Sequence, residues 1–185
     1  MTKSALRKEF INRRDSIPEI KRSEYSKAIA GKITGSDYFN NADTVLCFVS
    51  IGSEVDTSGI IGKAFECGKT VGVPFIEVEQ MQFRQIGSID ELVSGKYGIP
   101  TAPDNSQVID DFEKCLCIVP CLSADIDGYR LGYGGGYYDR FLAEHKNIYS
   151  IAVCFDELLS DSLPREEFDI KVSLVITERK ETGVR

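Results

Sequence analysis

Short apolar runs, continuous rather than alternating, recur along this chain. They fall at residues 44–50, 70–76, 115–120, 149–155 and 171–177, and they are rich in β-branched side chains. Strands that are apolar at nearly every position are typical of a sheet covered on both faces. Helical patterns separate several of these runs, so strand and helix alternate. The pattern predicts an α/β sandwich around a mostly parallel sheet.

Helices are predicted at five places. Two open the chain, at 3–15 and 19–34, with a serine and a proline between them that signal a helix end and a helix start. Three more lie between the strands, near 58–67, 137–145 and 156–163. The chain therefore begins with a helical pair, and the remaining helices are expected to cover the sheet.

Two other segments have patterns of their own. Residues 81–86 alternate apolar and polar side chains, which favours an edge strand or one half of a hairpin, and residues 94–107 are rich in Gly, Pro and Asn, which predicts a loop. No internal repeat, low-complexity tract or linker divides the chain. We therefore expect residues 1–185 to form a single domain.

The balance of charged residues limits the kinds of partner that the chain is expected to bind. The chain has 22 basic and 29 acidic residues, a balance that disfavours broad binding to nucleic acid or to an anionic membrane. No apolar run approaches the roughly 18 residues of a membrane span. We expect a cytoplasmic protein that binds small molecules, with no nucleic-acid or membrane partner, as a monomer or weak homodimer.

Four of the six cysteines lie within the apolar runs, as expected of small buried thiols in a reducing compartment. The group Cys115, Cys117 and Cys121 is the best candidate for a zinc site, but Cys115 and Cys117 form a C-x-C pair inside a predicted strand, which is not the usual C-x₂₋₄-C zinc motif. The only histidine, His145, lies far along the chain, near a predicted helix end. We expect free thiols, and a histidine that faces solvent.

The stretch LGYGGGYYDRFL, residues 131–142, is the strongest candidate for chemistry. It leads into a predicted helix, and its glycines can present several amide hydrogens to one point beside the positive end of that helix. An anion such as phosphate would bind there. Asp139 then suggests Mg²⁺, which prefers a mixture of carboxylate and phosphate oxygens, while Arg130 and Arg140 could balance the remaining charge. The alternative is a glycine turn followed by an acid that the helix dipole favours.

Two known phosphate motifs do not fit. Residues 62–70, GKAFECGKT, have one spacer residue too many for a P-loop and run from helix to strand, the reverse of its order. The pattern G-x-G-x-x-G would need glycine where Tyr137 stands. If phosphate binds at 131–142, it does so in another arrangement.

Basic residues also follow one edge of the first predicted helix. Lys3, Arg7 and Arg14 project within about 40° of one another, so they could face a ligand or form a solvated face. Glu54 lies in a loop after the first predicted strand, where it could bind a ligand with paired donors or simply be solvated.

Taken together, four motifs resemble one family. These are an early K-x-x-x-R at Lys3 and Arg7, S-x-x-x-E-V-x-T at 50–57, GKYGIP at 95–100, and RLGYGGGYYDRFL at 130–142. In this order they resemble the 5-formyltetrahydrofolate cyclo-ligases, also called 5,10-methenyltetrahydrofolate synthetases. The last motif is highly specific, and the similarity spans nearly the whole chain.

The resemblance implies a three-layer α/β/α sandwich and an enzyme that uses ATP and Mg²⁺ to convert 5-formyltetrahydrofolate to 5,10-methenyltetrahydrofolate, with release of ADP and phosphate. It implies that Lys3, Arg130 and Asp139 are catalytic and that Asp139 holds Mg²⁺. Val49, Glu54, Tyr133 and Tyr137 would bind the folate. The implied ATP-binding residues are Lys3, Arg7, Arg130, Leu131, Gly132, Tyr133, Gly134, Gly135, Gly136, Tyr137 and Tyr138.

The chain departs from the family pattern at two places. Ser173 stands where many members have an acid that contributes to the metal region, and Thr101 and Ala102 follow Pro100 where an acid is often found. The first departure leaves open whether Mg²⁺ has a second protein ligand. It also keeps open an alternative function, that of a non-catalytic relative that binds ATP or folate as a sensor or buffer.

Overall fold

The strands and helices were located in a computed structural model, which describes residues 2–77 and 80–183 and, within these, every side chain except that of Tyr97. The helices are α1 (Lys3–Ser16), α2 (Glu19–Thr34), α3 (Asp37–Asn41), α4 (Ser58–Glu66) and α5 (Tyr137–Glu144). The strands are β1 (Thr44–Cys47), β2 (Thr70–Glu77), β3 (Gln80–Ile86), β4 (Val93–Ser94), β5 (Pro100–Thr101), β6 (Cys115–Pro120), β7 (Ser123–Ala124), β8 (Arg130–Leu131), β9 (Tyr149–Val153), β10 (Leu174–Ile176) and β11 (Glu181–Gly183).

Seven strands form one sheet in the order β11-β10-β9-β6-β1-β2-β3. The five central strands, from β10 to β2, are parallel to their neighbours, whereas β11 and β3 pair antiparallel at the two edges. All five predicted strands and the predicted edge strand at 81–86 are present. The mostly parallel sheet is thus confirmed.

Side chains of successive strand residues enter two different cores. Val45 and Cys47 of β1 pack into one cluster together with Ile60 of α4, while Leu46 between them packs into a second cluster with Phe141 of α5. Helices therefore cover both faces of the sheet, which is why the strand sequences are apolar at nearly every position. The three-layer α/β/α architecture is confirmed.

The helix predicted at 156–163 is wrong. The chain forms only a short 3-10 turn at Asp156–Leu158 and then becomes extended. The buried carboxylate of Asp125 accepts a hydrogen bond from the Leu163 N–H at 3.1 Å, and the Ser160 N–H bonds to the Ala124 carbonyl at 2.9 Å. These bonds to a distant loop replace the hydrogen bonds that a local helix would make.

The segment predicted as a loop at 94–107 is partly ordered into a small hairpin of β4 and β5. The short helix α3 was not predicted from the sequence, although Ser36 caps it by accepting a bond from the Phe39 N–H at 3.2 Å. Residues of this hairpin line the cleft that is described below.

The cysteines behave as expected, but the histidine does not. Five of the six thiols are buried, Cys67 alone is exposed, and all are free. Within the described part of the chain, no group of three or more His, Cys, Asp or Glu side chains could hold a metal ion. His145 is half-buried rather than facing solvent, because its ring packs 4.4 Å from that of Phe112 and 4.7 Å from that of Phe141.

The helices of the described residues also bear on membrane crossing. None of their helices combines the length and the apolar character that a transmembrane segment needs.

Candidate functional site

A large cleft opens beyond the carboxyl ends of β1 and β6, where ligands bind in sheets of this kind. Its volume is about 1410 Å³, more than the roughly 300–1,000 Å³ that one small-molecule ligand usually occupies. The structure brings every predicted site residue to its wall: Lys3, Arg7, Val49, Glu54, Arg130, Leu131, Gly132, Tyr133, Gly134, Gly135, Gly136, Tyr137, Tyr138 and Asp139. The space suffices for two ligands side by side.

One wall is the glycine loop, residues 132–136. Gly134 has a φ of +105°, a conformation that side chains disfavour, and a Cβ there would lie 3.3 Å from Cζ of Arg7. The same arginine donates a hydrogen bond from Nε to the Gly132 carbonyl at 2.8 Å. Glycine is therefore needed for the backbone to turn tightly against Arg7.

The glycine loop ends at the amino terminus of α5. Gly136, the N-cap residue, has a φ of +64° and provides no side-chain cap for the first amides of the helix. Uncapped amides and the helix dipole favour an anion at this end. The arrangement fits the phosphate site that the sequence predicts.

A buried ion pair lies behind the glycine loop. The Arg130 side chain is 3% exposed and donates from Nη2 to Oδ1 of Asp139 at 2.9 Å and from Nη1 to the Ile170 carbonyl at 2.7 Å. The Ile170 N–H also bonds to Oδ1 of Asp139, at 3.0 Å. Arg130 therefore orients Asp139, and its predicted role as a catalytic residue stays a prediction.

The carboxylate of Asp139 is placed and oriented in a way that suits Mg²⁺. Its Oδ1 is held by two donors, whereas its Oδ2 has no hydrogen bond to any described residue, and the side chain is 28% exposed on the cleft wall. Proteins usually bind Mg²⁺ through one or two carboxylates together with substrate phosphates and water. A single oriented carboxylate beside a phosphate site meets that requirement.

Lys3 is paired with acids across the mouth of the cleft. Its Nζ lies 2.6 Å from Oδ2 of Asp169 and 3.1 Å from Oε2 of Glu166. Burial alone would lower the pKa of Lys3, but the hydrogen bonds and charges of the two carboxylates together outweigh it and raise the pKa above its ordinary value. Lys3 is therefore a cation, and sequence reasoning missed both of its partners.

Another part of the cleft wall is mainly apolar. Val49, with Phe48, Pro74 and Phe75, gives it apolar walls, and Glu54 lies beside them. A flat heterocycle with polar edges, such as a pterin, suits a mainly apolar slot with one carboxylate.

Glu54 is held on both of its carboxylate oxygens. The Ile51 N–H donates to Oε2 at 2.9 Å, and the Tyr133 hydroxyl donates to Oε1. The hydroxyl in turn accepts a bond from Nη1 of Arg14 at 2.5 Å. Burial and the Glu54 charge raise the pKa of Tyr133, so this phenol remains a donor. The sequence left open whether Arg14 faces a ligand or solvent, and it does neither, because it is buried behind this wall.

The two departures from the family pattern also have structural explanations. Ser173 does not reach the cleft, because its Oγ accepts a bond from the Ser150 N–H at 3.2 Å. Asp169, four residues earlier, does line the cleft. Thr101 donates from its hydroxyl to the Pro74 carbonyl at 2.7 Å, and Ala102 is fully buried, so both residues pack the hairpin against β2.

Comparison with known proteins places these observations in a family. The model of the 5-formyltetrahydrofolate cyclo-ligase family matches residues 1–178. The 5-formyltetrahydrofolate cyclo-ligase of Mus musculus is 28% identical over 95% of this chain and 93% of its own length. That of Escherichia coli (strain K12) is 32% identical over 75% of this chain and 80% of its own.

A solved structure agrees with the sequence relatives. The NMR structure of Aquifex aeolicus 5,10-methenyltetrahydrofolate synthetase superimposes with a TM-score of 0.87 and 27% identity, covering 100% of this chain and 94% of that one. Because the family model spans nearly the whole chain and the fold agrees, the chain belongs to the 5-formyltetrahydrofolate cyclo-ligase family and is an enzyme of the ligase class, as its motifs predicted.

Proposed function

We propose that this enzyme uses ATP and Mg²⁺ to convert 5-formyltetrahydrofolate to 5,10-methenyltetrahydrofolate, releasing ADP and phosphate. The observation that carries the proposal is that one cleft has two chemically different walls. The glycine loop, Arg7 and the start of α5 suit a triphosphate, while Val49, Glu54 and their apolar neighbours suit a pterin. Two substrates that must react with each other would lie side by side.

In the proposed reaction, the formyl oxygen of the folate attacks the γ-phosphorus of ATP in line. The bond to the β-phosphate oxygen breaks and ADP leaves, so that an iminium phosphate forms on the folate. N10 of the same molecule then attacks the former formyl carbon, and phosphate leaves together with the N10 proton, which gives the methenyl bridge. Each step uses atoms of the two substrates alone.

The protein contributes position and charge. Arg7 and the amides at the start of α5 would hold the phosphates, and Lys3 would add positive charge at the mouth of the cleft. When bound at Asp139, Mg²⁺ would supply charge neutralisation across the phosphate oxygens. Tyr133 and Tyr137 would border both substrates, and Glu54 would accept hydrogen bonds from the pterin.

No protein nucleophile is required by this reaction. Among the described residues the cleft wall contains neither cysteine nor histidine, and the buried thiols lie in the two cores instead. Holding a reacting pair in the right geometry can be worth about 7–11 kcal/mol of the barrier. A cleft that only positions and neutralises is therefore adequate.

The test is to incubate the purified protein with 5-formyltetrahydrofolate and MgATP and to follow the absorbance of the methenyl product. We expect product formation that stops when a chelator removes Mg²⁺ and resumes when Mg²⁺ is restored. Binding of both ligands without turnover would instead support the non-catalytic sensor or buffer. Turnover that persisted in excess chelator would contradict the metal requirement.

A further inference from the structure

Arg14 is a buried cation with an unusual set of partners. Only 8% of the residue is exposed, yet it makes no direct ion pair with any carboxylate in residues 2–77 or 80–183. Its Nε donates to Oγ of Ser53 at 2.9 Å, and its Nη1 donates to the Tyr133 hydroxyl at 2.5 Å. Burying a charge is costly unless its donors are satisfied, so these two hydroxyls fix the guanidinium in place.

Both hydroxyls in turn donate hydrogen bonds to carboxylates. Ser53 donates to Asp15, and Tyr133 donates to Oε1 of Glu54. Each hydroxyl therefore accepts from the guanidinium and donates to a carboxylate, an order in which successive hydrogen bonds polarise and strengthen one another. The charge of Arg14 thus acts on Glu54 through Tyr133.

This chain of bonds joins three separate parts of the fold. Arg14 belongs to α1, Glu54 to the loop after β1, and Tyr133 to the glycine loop. Although 49% of Tyr133 is exposed on the cleft, its hydroxyl is held between Arg14 and Glu54. The ring therefore stands on the border between the nucleotide wall and the folate wall.

We propose that Arg14 is a positioning residue for the folate site: it fixes the Tyr133 hydroxyl and, through it, the carboxylate of Glu54. Arg14 does not line the cleft, so it would act on the site without touching either substrate. The inference rests on the proposed function, because it takes Glu54 as the acceptor for the pterin. Without Arg14, Tyr133 and Glu54 would have to be ordered during binding, which lowers affinity.

The adjacent arginine provides a matched control. Arg13 lies on the same helix, is exposed, and contacts the Glu157 carbonyl and the ring of Phe10, 5.0 Å from its Cζ. None of these groups lines the cleft. Arg13→Gln removes the same charge from α1 without touching the chain of bonds.

The experiment measures the Kd of 5-formyltetrahydrofolate by calorimetry in the absence of ATP, together with KM for each substrate. We expect Arg14→Gln to raise the folate Kd and KM at least about 10-fold, since hydrogen bonds to charged groups are the stronger ones, while KM for ATP changes less than about threefold. Arg13→Gln should stay within about twofold of wild type.

A double-mutant cycle with Tyr133→Phe tests the route of the effect. If Arg14 acts through the hydroxyl, Arg14→Gln should weaken folate binding far less in the Tyr133→Phe background than in wild type. Arg14→Lys keeps the charge but cannot reach both hydroxyls, so its folate affinity should resemble that of Arg14→Gln. If thermal unfolding shows that Arg14→Gln is not folded, Arg14→Lys takes its place in the cycle.

Two results would overturn the inference: equal folate affinity in the Arg14 and Arg13 variants, or additive effects of Arg14 and Tyr133 in the cycle. A wild-type protein that bound no 5-formyltetrahydrofolate would instead refute the proposed function. Because binding is measured without turnover, the two failures are distinguishable.

Discussion

Replacing Asp139 separates its structural role from its proposed metal role. Asp139→Ala removes the only carboxylate that pairs with Arg130 among the described residues, and the Arg130 side chain is 3% exposed. Breaking a buried pair from one side costs about 3–5 kcal/mol. Since Asp139 is itself 28% exposed and Arg130 keeps its bond to the Ile170 carbonyl, we expect the lower end, about 3 kcal/mol.

That free energy should be measurable by thermal unfolding. For a protein of this size each 1 kcal/mol corresponds to about 2–4 °C, so the Tm of Asp139→Ala should fall by about 6–12 °C in the absence of ligands. Asp139→Asn retains an oxygen for the Arg130 and Ile170 donors, so its loss should be smaller, about 1 kcal/mol. The two variants thus differ in stability.

Turnover should respond differently. Asn is a neutral and weaker ligand for Mg²⁺ than a carboxylate, so both variants should lose at least about 100-fold in Mg-dependent formation of the methenyl product. Asp139→Asn is the informative variant, because it should remain folded and yet be inactive. Wild-type turnover and an unchanged Mg²⁺ dependence in Asp139→Asn would refute the metal assignment. An unchanged Tm in Asp139→Ala would refute the importance of the buried pair.

Three further predictions concern the glycine loop, the mouth of the cleft and the thiols. Gly135→Ala would place a Cβ 2.6 Å from the ring of Tyr137, whereas a Cβ at Gly132 would meet nothing within 4 Å. Gly135→Ala should therefore raise KM for ATP more than Gly132→Ala does. Equal effects of the two variants in steady-state kinetics would contradict this prediction. Lys3→Met should lower Tm, because it removes the ion pairs of Lys3. The pKa of Lys3 is raised above its ordinary value of 10.5, so Lys3 keeps its charge in these ion pairs at pH values below that one. The Tm difference from wild type should therefore be constant from about pH 7 to 9 and shrink only as the pH rises through the raised pKa. A Tm difference that already fell below about pH 9 would count against the pairs. Mass spectrometry after thiol alkylation of the native protein should show rapid labelling of Cys67 only, and all six cysteines should react after unfolding.

The sequence predicted those features that depend on local pattern. Continuous apolar runs identify the strands because both faces of the sheet are covered, and Val45, Leu46 and Cys47 show this within one strand. The glycine loop at 132–136 can be recognised from the sequence because few residues other than glycine adopt a φ such as the +105° of Gly134. Both signals are carried by a few neighbouring residues.

Long-range pairing was not predictable in the same way. The partners of Lys3 are Glu166 and Asp169, more than 160 positions away, and nothing in the pattern of either segment identifies the other. The failed helix at 156–163 has the same origin, because the buried Asp125 holds that segment from a distant loop. A local pattern gives the propensity of a segment, whereas these contacts depend on the fold that brings segments together.

Each charged group proposed for the triphosphate has a partner within the protein. Lys3 is bound to Asp169, Arg130 to Asp139, and Arg7 to a carbonyl of the glycine loop. A triphosphate that entered the cleft would bring several negative charges close to Asp139, and this repulsion disfavours binding unless a cation lies between them. The same carboxylate that stabilises the fold by pairing with a buried arginine would therefore make nucleotide binding depend on Mg²⁺. Fold stability and the proposed metal requirement are thus linked through one side chain.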